Sequence, residues 1–220
     1  MKVDWTTFWP RIFESTGETI IMVIMTLIFG SILGITIGLL LFVTRKGNIL
    51  ENKFLFQLLN FLINIVRPIP SIILLVALLP LTRMVVGTSI GTWAAIFPMT
   101  IASSFSIARV VENNLVSIDP GVIEAAKAMG ASPLQIIFTV LIPEALGPLI
   151  LGLTFVTVGL IDFSAVAGTV GGGGLGHIAM TYGYQRFDGS VMFVTVIILI
   201  ILVQIAQWIG NKLSRRIMRR

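Results

Sequence analysis

From Thr19 to Thr44 the chain runs 26 residues without a charged side chain. A helix rises ~1.5 Å per residue and the hydrocarbon core of a bilayer is ~30 Å thick, so about 20 apolar residues are enough to cross it. Met84 to Ala108 and Gly189 to Asn211 are further charge-free runs of sufficient length. Such runs fix the solvent before any other feature is considered. Only 11% of the 220 residues are charged, against roughly 25% in a soluble domain, and mean hydropathy is +1.01. Too little polar surface remains to coat a water-soluble globule, which excludes a soluble enzyme, a disordered chain and a coiled coil.

Two more apolar stretches are irregular. Phe54 to Leu81 is interrupted by Arg67-Pro68-Ile69-Pro70, and proline lacks the amide that a helix needs, so this span should bend or restart there. Ala145 to Ala167 follows Pro143-Glu144 and contains Asp162. The expectation is an all-α membrane protein forming one domain over 1–220, with five spans near 19–44, 54–81, 84–108, 145–167 and 189–211. The first run is too long for the core of a cleaved signal peptide and is read as retained.

Lys and Arg near a membrane favour the cytoplasm. With the N-terminus outside, the inner side receives ten: Arg45, Lys46, Lys53, Arg109, Lys127, Lys212, Arg215, Arg216, Arg219 and Arg220. The outer side receives four, Lys2, Arg11, Arg83 and Arg186, and Arg67 falls within a span. This bias predicts N-terminus out and C-terminus in. It also explains pI 10.1 without nucleic acid, the basic tail serving as an anchor beside anionic lipid.

Within the spans a few residues stand apart. Gly30, Gly34 and Gly38 recur every fourth residue and offer one bare helical face for close packing. Irregular backbone at membrane depth is tolerated where it is buried or lines water, which points to Arg67, Pro68, Pro70 and Gly147-Pro148 as pathway or hinge elements. Ser103 and Ser104 could line a polar path or hydrogen-bond between helices. Arg67 and Asp162 are the only charges inside otherwise apolar spans; each costs at least ~2.5–3.5 kcal/mol at the bilayer centre, so each should face protein or water. Asp162 either attracts a substrate amino group or pairs with a buried donor.

The chemistry that is missing is equally informative. There is no cysteine, and His177 is the only histidine, so no Cys- or His-cluster metal site can form. No G-x-x-x-x-G-K-[ST] occurs, so the chain has no phosphate loop. The glycine run at 168–176 has no Lys-Ser/Thr after it and is expected to be flexible or close-packed backbone.

The segment from Arg109 to Glu144 is long, cytoplasmic in this topology and mostly apolar, so it must pack on something. Asp119-Pro120 begins a helix, Gly130 suits its left-handed end, and Ser132-Pro133 caps a second helix running to Pro143. Glu124 can pair with Lys127 one turn on, and Ala125 and Ala126 leave a low surface for a partner. Such a helix suits docking into another protein's groove.

Glu124-Ala125-Ala126, three residues, Gly130, nine residues and Val140-Leu141-Ile142-Pro143 resemble the EAA loop of ABC-importer permeases, EAA-x3-G-x9-I-x-L-P, with Val140 for Ile and Ile142 for Leu. The resemblance implies that Glu124, Ala125, Ala126 and Gly130 couple the membrane domain to an ATPase. Arg67-Pro68-Ile69-Pro70, Val86 to Gly91, Ala108 to Asn113, Gly171 to Gly176 and Tyr182-Gly183-Tyr184 are similar to the methionine-uptake permeases, over nearly the whole chain. That resemblance implies a type I importer fold, a homodimer, two cytoplasmic ATPases carrying the ATP and Mg, an extracytoplasmic substrate-binding protein, often a lipoprotein, and a bacterial inner-membrane location. It implies alternating access, with no catalytic residue, metal or cofactor on this chain. Methionine permeases usually carry glycine where Asp162 stands, so the alternative is the same machinery importing a different or more cationic amino acid or a small peptide.

Two other classes fit the residues less well. A stand-alone secondary transporter usually carries internal repeats and more spans, and no motif recurs here. A membrane enzyme would need a nucleophile and base; Ser164, between Phe163 and Ala165, lacks a Gly-x-Ser-Gly setting, and His177 lies beyond the span.

Overall fold

The computed structural model describes residues 4–218; Lys2, Arg219 and Arg220, three residues of the orientation count, lie outside them. Helix α1, Trp5–Val43, starts at Asp4, whose carboxylate accepts from the Thr6 amide at 3.0 Å. Hydrogen bonds from the Thr6 hydroxyl and then its amide hold the Asp4 carboxyl below its ordinary value. Because the helix begins before its charge-free run, Arg11, Glu14 and Glu18 stand on it.

Helix α2, Lys53–Val66, is capped by Asn52 and ends at Arg67; α3, Ser71–Ala77, leaves it at 106°. The two prolines at 68 and 70 cause this break, since neither supplies an amide to continue α2. Helix α4, Leu79–Val86, follows and stops at Gly87, whose φ of +87° is costly for any residue with a Cβ. Helix α5, Thr92–Val116, then begins after Gly91, at φ +100°. A third span is expected at 84–108; the helix in that region, α5, is set eight residues further on, because the glycines at 87 and 91 end one helix and delay the next, and because Arg109 is accommodated inside α5.

Helix α6, Pro120–Ala128, and α7, Pro133–Ile136, form the expected helix, glycine turn and helix. Beyond α7 the chain does not break. A π-helical turn at Ile137–Leu141 leads into α8, Ile142–Thr169, so 37 residues from Pro133 to Thr169 form one continuous helix. The segment 109–144, expected as a loop, is thus shared between the end of α5, the α6 turn and the root of α8. Short α9, Gly174–Ile178, a second π-helical segment, Ala179–Gln185, and α10, Gly189–Met218, complete the chain.

Among the described residues four helices are long and apolar enough to cross a membrane, and a fifth crossing exists if the bent α2–α3 pair counts as one. The bundle is organised around α5, which packs along α1 and against α8, while α8 packs on α10. Met22, Met99, Ile107, Leu141 and Leu160 are buried where these helices meet.

Gly30, Gly34 and Gly38 are buried on the α5 side of α1. A Cβ at Gly34 would stand 2.6 Å from the Ile107 Cβ, and one at Gly38 would stand 2.5 Å from the Ala108 carbonyl oxygen. Only hydrogen at these positions permits the observed approach of the two backbones.

Candidate functional site

The α6–α7 turn owes its shape to local chemistry. Asp119 accepts from the Gly121 amide at 2.8 Å and Pro120 occupies the first turn. At the other end Gly130, with φ +81°, donates to Lys127 O, and Ala131 donates to Ala126 O at 3.1 Å, which satisfies the last carbonyls of α6. Ser132 and Gln135 then form a capping box on α7. The result is a stiff elbow carrying an exposed row of Val122, Glu124, Ala125 and Met129, continued by Leu134 and Phe138. Met129 is 81% exposed, and with Val122, Leu134 and Phe138 it gives the elbow an apolar row of the kind that another surface covers.

Ala126 does not belong to that row. It is 4% exposed and packs inward with Ile118, Ile123 and Ile136, so its small size serves the approach of α6 to its own bundle. Nor do Glu124 and Lys127 form the expected ion pair. They flank a notch of about 210 Å³ shared with Arg45 and Lys46 of the loop after α1, leaving Glu124 among three cations. Between two described residues the one ion pair is Arg109–Glu112.

That pair is not legible in the sequence, where Arg109 marks a membrane boundary, counts among the inner-side cations and belongs to a family-like stretch, but has no visible partner. On α5 it holds buried Glu112 one turn along and also donates to Asn60 Oδ1 at 2.9 Å and Asn64 Oδ1 at 2.8 Å on α2. One guanidinium therefore fastens α2 to α5 with three acceptors in a planar fork, a task lysine could not reproduce. The available signal was Asn60 and Asn64 four residues apart on a helix whose other polar residues are Lys53 and Gln57.

A cavity of about 290 Å³ opens between the α2–α3 bend, α5 and α8. Arg67, Ser103, Ser106 and Asp162 supply polar groups, and Ile69, Leu74, Phe155 and Leu160 supply apolar wall. Of the expected path residues, Arg67, Ser103 and Asp162 are brought together here. Pro68 and Pro70 shape the bend without lining the cavity, and Ser104 donates to Ile101 O at 2.7 Å on α5 without reaching it. Asp162 also borders a second hollow between α8 and α10.

The glycine run is a close-packed lock. Glu18 on α1 accepts from the Gly174 amide at 2.6 Å, and Thr19 Oγ1 accepts from Leu175 N at 2.9 Å, so α1 caps α9 across 156 residues of sequence. Gly91 N donates to Gly171 O at 2.8 Å and ties the run to the start of α5. Nearby, Arg11 donates to the Tyr182 hydroxyl while Arg186 lies over the same ring. His177 is exposed, with Nδ1 3.5 Å from Thr181 Oγ1, and no metal-binding group of residues occurs among the described residues.

Residues 30–219 match the family described as the binding-protein-dependent transport system inner membrane component. The chain belongs to this family. The permease is 47% identical over 203 residues to a probable D-methionine transport system permease protein of Vibrio cholerae, covering 92% of this chain and 90% of that one. It is 42% identical over 219 residues to the methionine import system permease protein of Bacillus subtilis, covering 100% and 97%. Among solved structures, it superposes on a chain of a methionine ABC transporter in an inward-facing conformation with TM-score 0.95 and 42% identity, covering 98% and 99%. The all-helical arrangement is thus the type I importer permease fold.

Proposed function

We propose that this permease is the translocating subunit of an ATP-driven methionine importer. Two copies would form the path, two ATPases carrying ATP and Mg would supply the work, and an extracytoplasmic binding protein, often a lipoprotein, would deliver substrate. The N-terminus is placed outside and the C-terminus in the cytoplasm, supported by the ten-to-four distribution of basic residues. The observation that carries the reading is near full-length identity to methionine permeases of two organisms, in a chain that exposes an apolar elbow at the expected docking position.

In this reading Glu124, Ala125 and Gly130 act at the ATPase contact and Ala126 acts from behind it. ATP binding draws the two elbows together, and the cavity beside Arg67 and Asp162 alternates between faces. The chain itself supplies no hydrolytic chemistry.

The test is reconstitution of the permease in proteoliposomes with its ATPase and binding protein. ATP-dependent accumulation of labelled methionine is expected. Assembly with an ATPase but accumulation of a different amino acid would overturn the substrate, and no ATPase-dependent uptake would overturn the importer reading.

A further inference from the structure

Arg67 and Asp162 carry opposite charge, line the same cavity and do not pair. Among the described residues neither side chain has a hydrogen-bond partner, although Asp162 stands on an apolar helix long enough to cross a membrane and Arg67 at the bend of the apolar α2–α3 pair. Arg67 stands at the α2–α3 bend and Asp162 on α8, so the two charges sit on different walls. Between them the remaining wall is mostly aliphatic or aromatic, with Ile69, Leu74, Phe155 and Leu160.

We propose that this cavity is a subsite for the zwitterionic head of an α-amino acid, with Asp162 receiving the ammonium, Arg67 the carboxylate and the apolar wall an uncharged side chain. The inference rests on the importer reading and adds a selectivity element inside the path. A simple cation or anion would satisfy one wall and leave the opposite charge unpaired; a zwitterion satisfies both at once. The guanidinium fork suits a carboxylate, and a carboxylate suits an ammonium, each as a charge-assisted hydrogen bond. At about 290 Å³ the cavity is close to the lower end of the ~300–1,000 Å³ range of ligand sites, in keeping with a small occupant.

The experiment uses the permease–ATPase complex in nanodiscs without the binding protein, with labelled methionine as probe in equilibrium dialysis. Two competitors each lack one charge: methioninol, without the carboxylate, and the 2-hydroxy analogue, without the ammonium. Wild type should bind methionine saturably and prefer it to both. Asp162→Asn and Arg67→Gln should each weaken methionine roughly tenfold or more. In Asp162→Asn the hydroxy analogue should compete as well as methionine, and in Arg67→Gln methioninol should.

Unchanged affinity in both variants overturns the subsite. So does a fall in thermal stability that is equal with and without methionine and unaccompanied by altered competition, since the two charges would then be pairing with protein, including a second copy. If a variant fails to assemble, competition on wild type decides, and indifference to either analogue overturns the proposal. Wild-type uptake in proteoliposomes separates the two claims: normal uptake with charge-independent binding removes the subsite alone, whereas absent uptake removes the importer reading.

Discussion

Gly38 of α1 lies against Ala108 of α5 so closely that a methyl group at Gly38 would stand 2.5 Å from the Ala108 carbonyl oxygen. Backbone cannot step aside as a side-chain tip can. Gly38→Ala should therefore force α1 away from α5 and cost about 1–3 kcal/mol, as overpacked interiors do. Thermal unfolding in detergent checks this, with Gly17→Ala as the control without steric cost: no atom outside its own turn lies within 4 Å of the new Cβ, so it should be neutral or slightly stabilising.

Arg109→Ala would leave buried Glu112 without its counter-charge and remove the link from α5 to Asn60 and Asn64. Breaking one side of a buried pair typically costs about 3–5 kcal/mol. The double variant Arg109→Ala/Glu112→Ala should be more stable than Arg109→Ala alone. A double-mutant cycle on unfolding midpoints measures the difference, and no recovery would show that packing, not charge, dominates.

Glu18→Ala should release the glycine lock by removing the acceptor for Gly174, while Glu18→Gln retains a carbonyl oxygen and should be milder. Hydrogen exchange at Gly174 and Leu175 is the readout. Faster exchange is expected in Glu18→Ala at Gly174 and in Thr19→Val at Leu175.

At the elbow, cysteine introduced at Glu124 or Met129 should cross-link to a co-expressed ATPase, whereas Ala126→Cys should not react, its side chain being 4% exposed. Gly130→Ala places a Cβ at φ +81° and should cost about 1–2 kcal/mol locally. Uptake per ATP hydrolysed should fall, because a distorted elbow transmits movement poorly.

The apolar runs, the proline break and the Asp119–Gln135 turn were legible because their causes are local: hydropathy, a missing amide, a cap. What escaped reading depends on partners distant in sequence. Arg109 resembled the end of a span because a lone charge is expensive in lipid, but Glu112, Asn60 and Asn64 make it an interior fastener. Arg11, Glu14 and Glu18 likewise hid the start of α1 at Trp5, because Arg11 and Glu18 are held by the segment after α9 and by α9 itself. Ala126 was assigned outward by its motif, and only the rotation of α6 about its axis shows that it faces Ile136. The cavity had its charges identified but not its walls, because a cavity belongs to several helices at once.

The unbroken helix from Pro133 to Thr169 makes the elbow and the cavity two ends of one rod. Asp162 lies 29 residues beyond Pro133, about 43 Å along the axis at ~1.5 Å per residue. A tilt of about 5° at the Pro133 end then sweeps the Asp162 carboxylate through roughly 4 Å, more than the length of a hydrogen bond. The π-helical turn at Ile137–Leu141 starts four residues from the Pro133 end, so it is where the α-helical hydrogen-bond pattern of this rod changes between the elbow and the cavity.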